Sequence, residues 1–244
     1  MQKIPPNKRE ELLKEARAEI AQVAKGLRIN FKIPDDRDTD LVNVEFDGED
    51  SAVFTRLLDD RFGIAPLAIT NIHANRPYRG VVTDSGKVGF GLYLDIGLRD
   101  PRKTDALLSL NTLRGQTADG EKKSIKELIK KYCLHDYVPL HVRVINVDRD
   151  NERIWVELLD HQIERLRHYV SSPLKRMILT AASRPDMNRI VKESGIAHTI
   201  ASITLMSLAA YEITWKLGTD LDVVAARVKP LCARYDVKFC APQP

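Results

Sequence analysis

Phe90 and Tyr93 are the side chains of this 244-residue chain best suited to stacking on the bases of a nucleic acid. An aromatic ring that stacks on a base contributes about 1–3 kcal/mol per base. Strict alternation along a strand would put residues three apart on opposite faces, but Gly89 and Gly91 predict a bend that brings both rings to one face. The alternative is that one or both rings fill the inside of the domain or a seam between domains.

A tight turn with the sequence Asp-Arg-Asp-Asn-Glu, at 148–152, brings a second group of candidate residues together. Arg153 offers a planar fork of donors to a phosphate or a base edge, with Asp148 across the turn. Trp155 follows on the same strand face as Arg153 and would extend the stacking surface. Two other roles stay open, namely a hairpin-stabilising pair of Asp148 with Arg153, and a Trp155 buried against a flanking domain.

The segment 99–131 is rich in charge, with nine basic and five acidic side chains. If a predicted helix in this segment begins early, residues 122, 123, 126 and 130 share one side of it, where they would contact phosphates. The alternative is a solvated charged face, which is the usual reason for such a run. The candidate phosphate contacts are Arg102, Lys103, Lys122, Lys123, Lys126 and Lys130.

Five short runs rich in β-branched and aromatic residues contain or border these candidates and predict β-strands. A helix is predicted at 125–134, between the third and fourth runs. This order is typical of a five-stranded oligonucleotide-binding (OB) barrel, which binds extended nucleic acid on one strand face. The runs are 79–84, 88–98, 105–110, 140–148 and 153–160.

The run from Phe90 to Gly97 resembles the second strand of the S1 RNA-binding domain, in which two aromatic residues three apart face the RNA. Val147-Asp148 followed by Arg153-Ile154 resembles the turn before that domain's fifth strand. More broadly, the chain resembles an uncharacterised archaeal protein family with a central S1-like domain, which implies no established activity. The S1 resemblance implies RNA contacts from Phe90, Tyr93, Asp148 and Arg153, and from Ser109, which stands nearest to a position where S1 domains often have histidine.

The regions on either side of the barrel predict a molecule of the α+β class with three domains. Residues 1–74 read as α-β-β-α-β, a ferredoxin-like unit that lacks its first strand, and residues 171–244 read as a complete β-α-β-β-α-β ferredoxin-like unit. Residues 75–170 hold the barrel, its basic insertion and a linking helix. Because a missing strand leaves an open sheet edge, we expect residues 1–6 or a protein partner to cover the N-terminal sheet.

Composition and motifs argue against several classes of function. Residues 1–70 carry 11 Lys/Arg against 14 Asp/Glu and residues 171–244 carry 10 against 6, so phosphate partners would favour the later parts of the chain. The charged first residues do not resemble a signal peptide, and a cytoplasmic protein with no membrane association is expected. We expect no metal and no other cofactor, because Cys133, His135 and His141 lack a second cysteine pair and no glycine-rich phosphate loop is present.

The sequence therefore predicts a non-catalytic RNA-binding protein that is associated with translation and binds ribosomal RNA or a ribosomal subunit. S1-like barrels next to α-β domains occur in translation initiation factors and in the stalk of archaeal RNA polymerase, an analogy of fold alone. The alternative is a protein-docking subunit of an RNA polymerase or RNA-processing complex. A nuclease or RNA-modifying enzyme is a third class, for which the chain carries no motif.

Overall fold

The chain folds into a mixed α+β molecule organised around a closed five-stranded barrel. The computed structural model describes residues 8–36, 39–118, 120–233 and 235–240. No helix within these ranges is long and apolar enough to cross a membrane.

The barrel closes through one parallel and four antiparallel strand pairs. The second strand pairs with the first and the third, the fourth pairs with the first and the fifth, and the third and fifth run parallel. Alternate residues of these strands point inward and are almost completely buried, as Leu94, Val144 and Val156 are. The strands are β4 (Pro77–Thr83), β5 (Gly91–Asp100), β6 (Thr104–Ser109), β7 (Pro139–Asp148) and β8 (Arg153–Leu158).

Two helices, α3 (Leu110–Thr117) and α4 (Ile125–Tyr132), lie between β6 and β7. Only the second was predicted. The hydroxyl of Ser124 accepts a hydrogen bond from the Glu127 amide, and the Glu127 carboxylate accepts one from the Ser124 amide, which fixes the start of α4. The helix therefore does not begin early, and the predicted shared side reduces to Lys126 and Lys130.

The N-terminal unit differs from the predicted one in its last strand. A two-stranded antiparallel sheet joins β1 (Asn30–Lys32) to β2 (Glu45–Asp47), while β3 (Leu67–Ala68) pairs in parallel with β5 of the barrel. The reason is that β5 pairs with β4 only at Tyr93–Asp95, so its C-terminal half offers an open edge to which β3 adds. The helices of this unit are α1 (Arg9–Ala24) and α2 (Ser51–Phe62).

A linking helix, α5 (Asp160–Ser171), leads to a four-stranded antiparallel sheet. The strands of this sheet lie in the order β10 (Ile200–Ser207), β11 (Ala210–Trp215), β9 (Arg176–Thr180) and β12 (Asp236–Cys240). Helix α6 (Arg184–Ser194) lies between β9 and β10 in the chain. The last helix, α7 (Leu221–Val228), ends before Pro230, which has no amide hydrogen to continue it.

Candidate nucleic-acid interface

A row of large side chains crosses the outer face of three barrel strands. Tyr93 of β5 is in register with Leu107 of β6, and Leu107 is in register with Trp155 of β8. All three are half-buried, while their strand neighbours Leu108 and Val156 are fully buried in the barrel core. We call Tyr93, Leu107 and Trp155 the aromatic row.

Phe90 extends the aromatic row at one end. Its side chain is 54% exposed, and its ring meets that of Tyr93 edge to face, with ring centroids 6.1 Å apart. The two rings can share a face because Phe90 lies just before β5 begins and is not bound by the alternation of that strand. The structure thus brings together the two aromatic residues that the sequence singled out.

Gly91 allows β5 to lie close to β6 beside the aromatic row. A Cβ atom at this position would lie 2.8 Å from Cδ1 of Leu107 and 2.5 Å from the carbonyl oxygen of Leu108. Any other residue would therefore clash with the β6 backbone as well as with the Leu107 side chain, and the pairing of β5 with β6 would have to shift. Sequence reasoning missed Leu107, although its alternation with the buried Ala106 and Leu108 was the signal that places it outward.

Arg153 and Asp148 face each other in register across the turn between β7 and β8. Asp148 accepts hydrogen bonds from the amide and from the side-chain amide of Asn151, at 3.1 and 2.8 Å, and these lower the pKa of its carboxyl. Asp148 therefore stabilises the turn. Arg153 is exposed and makes no ion pair with any residue that the structure describes, so its guanidinium is available to a ligand.

Arg102 and Lys103 lie in the turn between β5 and β6, where both meet carboxylates. Nε of Arg102 lies 2.5 Å from Oε2 of Glu152, and Nζ of Lys103 lies 3.5 Å from Oδ2 of the fully buried Asp95. The ion pair between Arg102 and Glu152 places the turn between β5 and β6 beside the turn between β7 and β8. A phosphate at Arg102 or Lys103 would have to compete with these carboxylates.

The other predicted cations belong to the segment around α4 and not to the aromatic row. Lys123 pairs with Glu121, with 2.9 Å between Nζ and Oε2. Lys122, Lys126 and Lys130 are exposed, and Lys126 and Lys130 lie one turn apart on α4. The opposite side of α4 packs into the barrel core through Leu128 and Ile129.

Ser109 lies on the outer face, in register with Gly91, but its hydroxyl is used locally. It accepts a hydrogen bond from the amide of Thr112 at 3.1 Å and lies 2.8 Å from the Thr112 hydroxyl. Ser109 is thus the N-cap of α3, which explains a serine at this position without any ligand.

Asp105 provides an acceptor that the sequence did not reveal. Its Oδ2 accepts a hydrogen bond from the Thr83 hydroxyl at 2.9 Å, and Thr83 is in register with Tyr93. Its Oδ1 is buried without a hydrogen-bond partner among the described residues. A buried acceptor left unpaired is costly, and this oxygen has almost no accessible surface, so a nucleotide would reach it only after a local rearrangement.

Comparison with known protein families finds a match for the part of the chain that contains the barrel. Residues 72–170 match the DUF2110 central domain. This family is uncharacterised, and the matched segment contains the whole barrel, the aromatic row and α5. No curated protein matches the chain.

Three solved structures are distant neighbours of the chain. Uncharacterized protein MJ1198 from Methanocaldococcus jannaschii is 16% identical over 36% of this chain and 95% of its own, with a TM-score of 0.25. The K3L protein of vaccinia virus is 21% identical over 37% and 96%, with a TM-score of 0.24. The intact alpha subunit of aIF2 from Pyrococcus abyssi is 10% identical over 71% and 98%, with a TM-score of 0.27. TM-scores this low do not establish a shared fold.

The segment matched by the DUF2110 central domain also holds a histidine pair away from the aromatic row. Nδ1 of His141 on β7 lies within hydrogen-bond distance of Nε2 of His161 on α5, at the wall of a cleft that also includes Arg79. Burial, helped by the charge of Arg79, lowers the pKa of His141 to about 4, so this ring is neutral at pH 7. Within the described part of the chain, no group of three or more His, Cys, Asp or Glu could hold a metal ion.

Proposed function

We propose that this protein is a non-catalytic RNA-binding protein whose barrel is an S1-like OB domain. In this proposal, single-stranded RNA lies across the outer face of β5, β6 and β8. The strand plan supports the assignment: β6 and β8 close the barrel in parallel, and helices separate its third strand from its fourth. The observation that carries the proposal is the aromatic row with Phe90 at its end.

Each part of this face matches one part of a nucleotide. The rings of Phe90, Tyr93 and Trp155 offer stacking surfaces at about 1–3 kcal/mol per base. Arg153 carries a guanidinium for a phosphate or a base edge.

We further propose that the RNA is ribosomal and that the protein acts in translation, in the cytoplasm. The sheet order β10-β11-β9-β12 with α6 and α7 fits a ferredoxin-like unit beside the barrel, the plan of S1-containing translation factors. On a sucrose gradient of native extract, the protein should sediment with ribosomal subunits. Sedimentation with RNA polymerase instead would contradict the ribosomal target.

The RNA site is tested by changing both Phe90 and Tyr93 to Ala. Loss of two stacking surfaces should weaken the binding of a short oligouridylate by at least about tenfold, as measured by fluorescence anisotropy. Tyr93→Phe, which keeps the ring, should bind like the unmodified protein, and so should Leu217→Ala, which removes an exposed side chain of the C-terminal unit. Unchanged affinity in a folded Phe90→Ala/Tyr93→Ala variant would place the RNA site elsewhere.

A second candidate function is a protein-docking subunit of an RNA polymerase or RNA-processing complex. The pairing of Arg102 and Lys103 with carboxylates favours it, because these pairs leave a largely apolar face with few available cations. Under this alternative, the oligouridylate would fail to bind at any salt concentration. The aromatic row would then be buried by a polypeptide.

A further inference from the structure

The strand β10 (Ile200–Ser207) forms one edge of the C-terminal sheet and is unusually open to solvent. Every residue from Ala201 to Leu205 is exposed, so both faces of this stretch meet water. The large apolar side chains of Ile203 and Leu205 are each 39% exposed. An edge strand also presents a row of backbone amides and carbonyls without a strand partner.

The edge carries none of the charges that usually protect such a strand. No Lys, Arg, Asp or Glu occurs between Glu193 and Glu212, although 30% of the chain is charged. Charged side chains, proline or a covering element normally prevent an edge strand from pairing with a strand of another chain. At the other edge of the sheet, β12 lies beside α4, whereas among the described residues no further strand lies beside β10.

The apolar residues of β10 continue a buried layer of the sheet. Ile203 is in register with Ile213, and Leu205 with Tyr211. Ile213 and Tyr211 are buried in the core that α6 and α7 form with the sheet. Ile203 and Leu205 therefore bring this apolar layer to the solvent edge, where another strand with an apolar face would bury it.

We propose that two copies of this chain pair edge to edge through β10, in antiparallel register about a two-fold axis at Ile203. In that register Ile203 of one copy meets Ile203 of the other, and Ser202 meets Thr204. Apolar and hydroxyl cross-strand pairs of this kind each contribute about 0.2–1 kcal/mol. The two four-stranded sheets become one continuous sheet of eight strands.

The composition of the strand favours a second copy over other occupants. An uncharged strand places no like charges opposite each other when it pairs with itself, whereas most charged strands would repel their own copy. Antiparallel pairing of identical edges is isologous, so it closes as a dimer and does not grow into a filament. The lack of cations between Glu193 and Glu212 makes the edge a poor surface for nucleic acid.

Sedimentation equilibrium of the full chain tests the pairing. The chain should sediment as a dimer, at twice its mass of 27.6 kDa. Ile203→Lys should give a monomer, because two lysines would meet at the axis. Leu217→Lys is the matched control, because Leu217 is 73% exposed outside β10, and this variant should remain a dimer. A monomeric wild type would overturn the proposal, as would a folded Ile203→Lys variant that remains a dimer.

A cross-linking measurement keeps the test decisive if Ile203→Lys does not fold. Ile203→Cys should form an intermolecular disulfide under mild oxidation, seen as a dimer on a non-reducing gel. Leu217→Cys should not. Absence of the Ile203→Cys cross-link would overturn the proposed register. The dimer is independent of the RNA site, so neither result bears on the proposed function.

Discussion

Asp148 and Arg153 face each other across one hairpin, yet their surroundings give them different roles. Two hydrogen bonds from Asn151 engage the Asp148 carboxylate, whereas Arg153 has no ion-pair partner among the described residues. Sequence spacing places both residues beside the turn, but the sequence alone does not reveal which of them the turn uses. The same holds for Ser109, whose hydroxyl caps α3, a helix that the sequence did not predict.

His141 yields a prediction about how the stability of the fold depends on pH. Its pKa is lowered to about 4 from an ordinary value of 6.5, so between these pH values the unfolded chain binds more protons than the folded one. The stability contribution of the neutral ring is therefore complete above pH 6.5 and is lost as the pH falls toward 4. We expect this loss to be roughly 1–2 kcal/mol, because solvent screens part of the effect.

The measurement is urea unfolding of the wild type and of His141→Gln at several pH values in this window. His141→Gln should lose part of the pH dependence. His168→Gln, which changes an exposed histidine on α5, should retain it. Equal pH dependence in the wild type and in His141→Gln would show that another group causes the loss.

The alternation of apolar residues predicted the strands of the barrel well, but it predicted the pairing of the elements around the barrel less well. The runs 140–148 and 153–160 correspond to β7 and β8 within a few residues, because apolar alternation marks a strand with one buried face. The strand with which β3 pairs could not be predicted in this way. It depends on how far β5 extends past β4, which is a property of two strands remote from β3 in the sequence.

The helix α4 yields a prediction about salt. If Lys126 and Lys130 contact RNA phosphates, changing both to Gln should flatten the slope of log affinity against log salt by roughly one to two units. Arg102→Gln should flatten it less, because Arg102 is already paired with Glu152. Changing Lys14 and Lys192 to Gln alters the net charge equally and controls for it. A slope that stays the same in Lys126→Gln/Lys130→Gln would exclude α4 from the contact.

Hydrogen bonds join the three predicted domains to one another. Glu212 of β11 accepts hydrogen bonds from Arg165 at 2.7 Å, from Arg176 at 3.2 Å and from the hydroxyl of Tyr169. Arg165 and Tyr169 belong to α5, so this buried cluster fixes the linking helix to the C-terminal sheet. The backbone amide of Arg184, in α6, donates to Glu15 of α1 at 2.6 Å. The boundaries predicted at 74 and 170 therefore separate groups of elements that touch across them.

The N-terminal sheet remains the place where we expect a partner protein. Among the described residues this sheet consists of β1 and β2 alone, so neither strand has a described partner on its outer side. A mostly apolar cavity of about 270 Å³ lies beside residues 41–44. Residues 1–6, the other predicted cover, lie outside the described residues. In the isolated protein, amides of β1 and β2 should exchange with solvent faster than those of β11, which has strands on both sides. Equal and slow exchange at all three strands, without a partner, would mean that this unit is complete by itself.

Tryptophan fluorescence during an RNA titration tests whether bases stack on the aromatic row. The chain has two tryptophans: Trp155 lies in the aromatic row, and Trp215 is fully buried in the C-terminal core. A short oligouridylate should quench the wild-type emission to saturation, because a base stacks on or beside Trp155. Trp155→Phe, in which only Trp215 emits, should show no change when the same RNA is added. Binding of the RNA at full affinity without any change in Trp155 emission would contradict stacking on the aromatic row, as would a failure of the folded protein to bind single-stranded RNA.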